Sequence, residues 1–222
     1  MDYGSPAKSL GSSSVKKIVT GVIGAVVVVG VGVGLWFVLD GSSPAATVGK
    51  VKISASQLNK SVNAVIAERK TVSTTGMQLA FGSSLTAQEL NYYIISTLLK
   101  DTADANNLTV TDAQVTARQA AILKQEGSAA KLKSGEVSSG IASADFPGYV
   151  REILYVEALT ALVEKNGTAV ADSGTAVQGL VRDQANKEGV KINSKYGTWD
   201  ATQVTVVPVG SATPTPTPTA TK

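Results

Sequence analysis

From Ile18 to Leu39 the chain runs for 22 residues without a charge, with Lys16 and Lys17 before it and Asp40 after it. As a helix rising about 1.5 Å per residue, this stretch would reach roughly 33 Å, enough for a hydrocarbon core about 30 Å thick. Its many Val and Gly residues favour helix poorly in water. In lipid, however, a lone segment can satisfy its backbone N–H and C=O groups only within itself, which leaves helix as the solution. The segment is therefore expected to be a transmembrane helix. A cleaved export signal is the competing reading, because Ser43-Pro44-Ala45 supplies small residues for a cut. The apolar part of such signals is shorter, about 7–15 residues. Trp36 and Phe37 at the outer end also match the interfacial aromatics of a retained anchor.

Lys8, Lys16 and Lys17 put residues 1–17 in the cytoplasm by the positive-inside rule, and everything after Asp40 outside the cell membrane. Within the span, Gly30 and Gly34 form a GxxxG pair, a face on which two anchors could pack as a homodimer. Such small residues are also common in spans that do not pair.

Composition removes most chemistries for the exported part. With no Cys and no His, neither thiolate metal sites nor imidazole catalysis can be built. Lys and Arg number 20 against 17 Asp and Glu, with no basic stripe, so nucleic acid is not expected as a partner. Only 5% of residues are aromatic, and the core must come from Val, Leu, Ile and Ala. A hydroxyl nucleophile would need Lys or a carboxylate as its base. Ser134 with Lys131, or Ser54 with Lys52, are near in sequence without further support. The acid pairs Asp101 with Asp104 and Glu152 with Glu157 are expected on solvated helix faces. No enzyme activity and no cofactor are expected.

Residues 40–46 read as a linker, 47–209 as the folded domain and 210–222 as a disordered tail, whose Thr-Pro alternation from Thr213 to Thr219 can continue neither helix nor sheet. Thr47 to Ile53 alternates as a strand. Ser54 or Ser56 then caps a helix with Leu58, Val62, Val65 and Ile66 on one face. Thr86-Ala87-Gln88-Glu89 has the form of a capping box, opening a helix with Leu90, Tyr93, Ile94 and Leu98 inward. Thr111-Asp112 starts another. Gly127 to Ser143 is polar and small, and reads as a mobile stretch.

Pro147 suits the first turn of a helix that ends near Asn166-Gly167. This helix carries two apolar stripes: Val150, Ile153, Leu154, Ala161 and Leu162 on one side, and Tyr149, Val156, Leu159 and Val163 on the other. Asp172 or Ser173 caps a last helix through Glu188. Val190–Asn193 and Thr205–Val209 follow as short strands, the first expected to pair with the opening strand around Val48 to Ile53, with Trp199 buried beside Tyr196.

Three stretches together resemble the SurA N-terminal chaperone domain in its actinobacterial envelope form. They are Val48 to Leu58, similar to the family's opening strand and first helix; Leu90 to Lys100 with Asn107 to Asp112, similar to its long helix and the next helix start; and Val190 to Asp200, similar to its closing strand and aromatic-Gly-Thr-aromatic-Asp turn. The resemblance brackets residues 46–200. Relatives often have Pro where Ser194 stands, and often a lipid-bearing Cys, absent here. Many also carry a parvulin prolyl-isomerase domain with paired His, for which this chain has neither length nor histidines.

The resemblance implies a mainly α fold, a helical chaperone domain with short pairing strands at its two ends, and a holding role toward unfolded or newly exported polypeptides. Tyr149, Val156, Leu159 and Val163 are the residues expected to line a groove for such clients. A dedicated envelope subunit that binds one folded partner is the alternative.

Overall fold

A computed structural model describes residues 43–211. The segment 18–39 expected to span a membrane, the Gly30/Gly34 face and the Thr-Pro tail from residue 212 onward lie outside the described residues. Among the described residues no helix is long and apolar enough to cross a membrane.

Six helices and five short strands make up the described part. The opening stretch is a hairpin, not one strand: β1 (Ala46–Val48) turns at Gly49-Lys50 into β2 (Val51–Ile53). The chain enters the core before the end of the expected linker, since Ala45 and Ala46 are both buried. The hydroxyl of Ser54 accepts from the Gln57 amide at 3.0 Å and starts α1 (Ala55–Arg69). Leu58 and Val65 point inward, whereas Ile66, expected on the same face, is exposed.

The helix α2 (Gly82–Ala105) begins four residues ahead of the expected capping box. Thr86 lies inside it and donates its hydroxyl back to the Gly82 carbonyl at 3.0 Å, so it caps nothing. Glu89, expected to complete that cap, is buried instead. From Glu89 to Leu99 all eleven consecutive residues are buried, because α1, the later helices, β1, β2 and the C-terminal hairpin all pack around α2. A helix covered on every side is the interior element of its domain.

A capping box does form at α3 (Asp112–Glu126), between Thr111 and Gln114, where the first turn is exposed. The stretch expected to be mobile holds α4 (Ala129–Ser138), capped by Ser128. Its Val137 is buried, as are Ile141 and Ala142 just beyond it, and Lys133 pairs with Glu68 on α1. Three apolar anchors in a polar sequence suffice to order it. Next, α5 (Phe146–Lys165) has Pro147 in its first turn, where the missing N–H removes no bond. It packs against α2, α3 and α6 (Ser173–Glu188), which ends at Gly189.

β3 (Val190–Ile192) returns to pair antiparallel with β1, Ala46 opposite Ile192 and Val48 opposite Val190. The order β2-β1-β3 thus joins the two ends of the domain, with β1 in the middle. A second hairpin, β4 (Thr198–Asp200) with β5 (Thr205–Val207), closes the chain. At Gly197, φ is +146° and a Cβ would lie 2.5 Å from the Val207 carbonyl oxygen, so only glycine fits there. Tyr196 is buried, while Trp199, expected beside it, is only half-buried.

Candidate functional site

The four residues expected to line a client groove do not form one. Leu159 is 0% exposed and Val163 8%, both within the main core, and Tyr149 and Val156 are half-buried against it. The flank of α5 that carries these four residues is covered because α3 and α6 both pack on the helix, besides α2. The second apolar stripe therefore packs into the interior, more so than the first, of which only Val150 is buried.

An open cleft of about 360 Å³ lies elsewhere, between the end of α1, the first turns of α2, the end of α4 and β5. Its walls include Arg69, Gln88, Asn91, Ser139, Val206 and Pro208. Local hydrogen bonds fix these walls. Asn91 Oδ1 accepts from the Val206 amide at 2.8 Å, which ties β5 to α2. Gln88 Nε2 donates to the Ser139 carbonyl at 3.1 Å, which ties α4 to α2. At Gly140, φ is +72° and a Cβ would meet that same Gln88 amide at 2.3 Å, so the bond requires glycine. Arg69 Nη1 donates to the Ala80 carbonyl at 2.6 Å, and its guanidinium lies 5.1 Å from the centre of the Phe81 ring, a cation–π contact.

Phe81 is 68% exposed, the most exposed large apolar side chain of the described residues, and Val209, next to Pro208, is exposed too. The cleft thus offers apolar contacts at its rim and amide and hydroxyl groups within. Nothing in the sequence pattern marked it, because its walls come from four separate segments.

Behind the cleft the interior is polar. Ser61 on α1 donates to Glu89 Oε2 at 2.5 Å, and its hydroxyl oxygen is 3.3 Å from Asp145 Oδ2. Asp145 occupies the N-cap position of α5 without capping it. Burial pushes the Glu89 carboxyl up to about 7, opposed by the Ser61 hydrogen bond, raised further by Asp145 and lowered by Arg69. Burial likewise raises Asp145.

Glu152, expected on a solvated face, is also buried. It accepts from Ser96 of α2, and desolvation holds its carboxyl well above the usual range. Tyr92 lies near these acids with its hydroxyl unpartnered, and burial raises it as well. Glu157 is exposed as expected and pairs with Arg118, while Asp104 pairs with Lys100 at 2.5 Å. The Ser54 hydroxyl considered as a nucleophile is occupied in capping α1. No group of three or more acids able to hold a metal ion occurs among the described residues.

No curated protein and no solved structure matches this chain. A family model, the SurA-like N-terminal domain, does match, over residues 8–157. The match takes in the uncharged segment 18–39 and runs through α1–α4 into α5. The closing strand and the Tyr196–Asp200 turn, which carried part of the resemblance, lie beyond it and are joined to the matched part through β1. With about two thirds of its length covered by that model, the chain belongs to the SurA-like N-terminal domain family.

Proposed function

We propose that this protein is a membrane-anchored, extracytoplasmic holding chaperone that binds unfolded or newly exported polypeptides and performs no catalytic step. The family match carries this reading, since it unites the 18–39 segment and the helical domain in one unit whose role is chaperone-like. Holding needs apolar contact that hides client side chains from water, worth on the order of 25 cal/mol per Å² buried. Single contacts of that size are weak enough to allow release. The rim of the cleft, with Phe81, Pro208 and Val209, replaces the covered flank of α5 as the contact surface.

Aggregation of chemically unfolded, unrelated proteins, followed by light scattering with the full-length chain in detergent micelles, tests the reading. Suppression is expected, and Phe81→Ser with Val209→Ser should weaken it while leaving the melting midpoint nearly unchanged, because both side chains are exposed. A chain that suppresses nothing but co-purifies with one folded envelope protein would replace the chaperone with a dedicated subunit. For the topology, Ser12→Cys should resist an impermeant thiol reagent on whole cells and Ser211→Cys should react.

A further inference from the structure

The interior behind the cleft holds a mismatch in protons. The Ser61 hydroxyl has one hydrogen, yet two carboxyl groups sit on it: Glu89 at 2.5 Å and Asp145 at 3.3 Å. A hydroxyl can donate only once, and an ionised carboxylate only accepts. With its hydrogen given to Glu89, Ser61 meets Asp145 oxygen to oxygen, and that contact is attractive only if Asp145 carries a proton to donate. The arrangement is complete with one carboxyl proton present and short of one without it. Glu89 is 2% exposed and its second oxygen, Oε1, has no partner, so no water satisfies it, whereas Asp145 is half-buried.

The three groups come from three elements: Ser61 from α1, Glu89 from α2 and Asp145 from the start of α5. The surrounding charges do not cancel the mismatch. On α1, Arg69 attracts Glu89 and Lys60 attracts Asp145, each favouring ionisation, but neither forms an ion pair with its acid. Arg69 is instead held by the Ala80 carbonyl. On α2, the Tyr93 phenol faces Ser61 and both acids. From α5, Glu152 adds a further acid across Tyr92. Desolvation outweighs the two cations at both carboxyls.

We propose that Glu89, Ser61 and Asp145 form a proton-held latch: one carboxyl proton ties α1 and the start of α5 to α2, and its loss to water as pH rises loosens α1. The remaining pair of carboxylates then repel across a single hydroxyl, and Glu89, unlike the half-buried Asp145, cannot turn to solvent. Arg69 on α1 and Gln88 and Asn91 on α2 all line the cleft, so the latch between the two helices sets how firmly that cleft is held. The latch is a property of the fold and stands whatever the cleft receives.

Hydrogen exchange read by mass spectrometry on the full-length chain in detergent micelles, at about pH 5.5 and about pH 8 and corrected for the intrinsic rate at each, tests it. Peptides from α1 should lose about tenfold or more in protection at the higher pH, the change expected when a buried carboxyl must give up its proton. Peptides from α6, which holds none of the latch residues, should lose clearly less. Glu89→Gln should hold α1 protection nearly constant between the two conditions, whereas Glu152→Gln should keep the wild-type response. Should Glu89→Gln fail to fold, Asp145→Asn serves the same purpose. If neither folds, the wild-type contrast of α1 with α6 decides alone. Protection of α1 that is independent of pH, or that falls equally in α1 and α6, would overturn the latch, as would a Glu89→Gln variant that loosens like the wild type.

Discussion

The two longest helices invite comparison, because the more apolar sequence is not the more interior helix. α5 carries two apolar stripes, yet Ile153, Leu154, Val156 and Leu162 are only half-buried. α2 mixes Glu89, Asn91, Ser96 and Thr97 among its apolar residues, and all of them are buried. Position decides this. α2 lies between α1, α5, α6 and both small sheets, while α5 has neighbours only on some of its flanks.

Each helix also contributes one buried glutamate held by a serine of its neighbour: Glu89 by Ser61, Glu152 by Ser96. The central position of α2 makes it a partner in both pairs. Buried polar groups are tolerated when bonded, and here they join helices that apolar packing alone would leave free to slide.

The largest effect should come from removing what joins the ends of the domain. A chain stopped after Gly189 loses β3, which occupies one edge of β1, and with it the buried Tyr196, Val204 and Val206. Cooperative thermal unfolding by circular dichroism should disappear. A truncated chain melting at the wild-type midpoint would mean that α2 needs no closing sheet.

Next come single core substitutions. Leu90→Ala on α2 and Leu159→Ala on α5 both empty fully buried sites and should each cost ~2–5 kcal/mol in denaturant unfolding. Val156→Ala, at a half-buried site, should cost about 1 kcal/mol or less. A Leu159→Ala variant as mild as Val156→Ala would reopen the flank of α5 as a client groove.

The last is a pH slope, and its sign follows from the acids. Glu89 is pushed up to about 7 in the folded state and returns to an ordinary value on unfolding. Below the ordinary range both states are protonated and nothing is lost. As pH rises from about 4.5 to 7 the unfolded chain ionises first, and stability falls by roughly 3 kcal/mol from this group. Glu152, raised in the same direction, adds to the slope. Melting midpoints should therefore drop from mildly acid to neutral pH, and the double variant Glu89→Gln, Glu152→Gln should flatten the curve. A wild-type midpoint rising over that window would show both acids to be ionised in the folded protein.

Much of the architecture was legible in the chain because it is written in local chemistry. Ser54, Thr111, Pro147 and the Asn166-Gly167 end mark helix boundaries through bonds made within a few residues, and the structure has them there. The pairing of the strand Val190–Ile192 with the first strand was also foreseeable, since two short strands with unpaired amides at either end of a helical domain need each other. Local reading failed where a residue had two uses. Thr86 and Glu89 have the spacing of a cap, but four earlier residues extend the helix and tertiary packing takes Glu89 inside. The stretch Gly127–Ser143 looks mobile by composition, and three buried side chains order it.

The sequence by itself determined the helical class, the charge-free segment 18–39, the absence of thiol and imidazole chemistry and the resemblance that the family match bears out. Only the tertiary structure decided which helix is central, that the flank of α5 is covered, and that Arg69, Asn91, Ser139 and Val206 wall one cleft. Periodicity reports which side of a helix avoids water, over a range of a few turns. It carries no information about how many neighbours will arrive from residues far along the chain, and the place of a cleft or a buried acid depends on those arrivals.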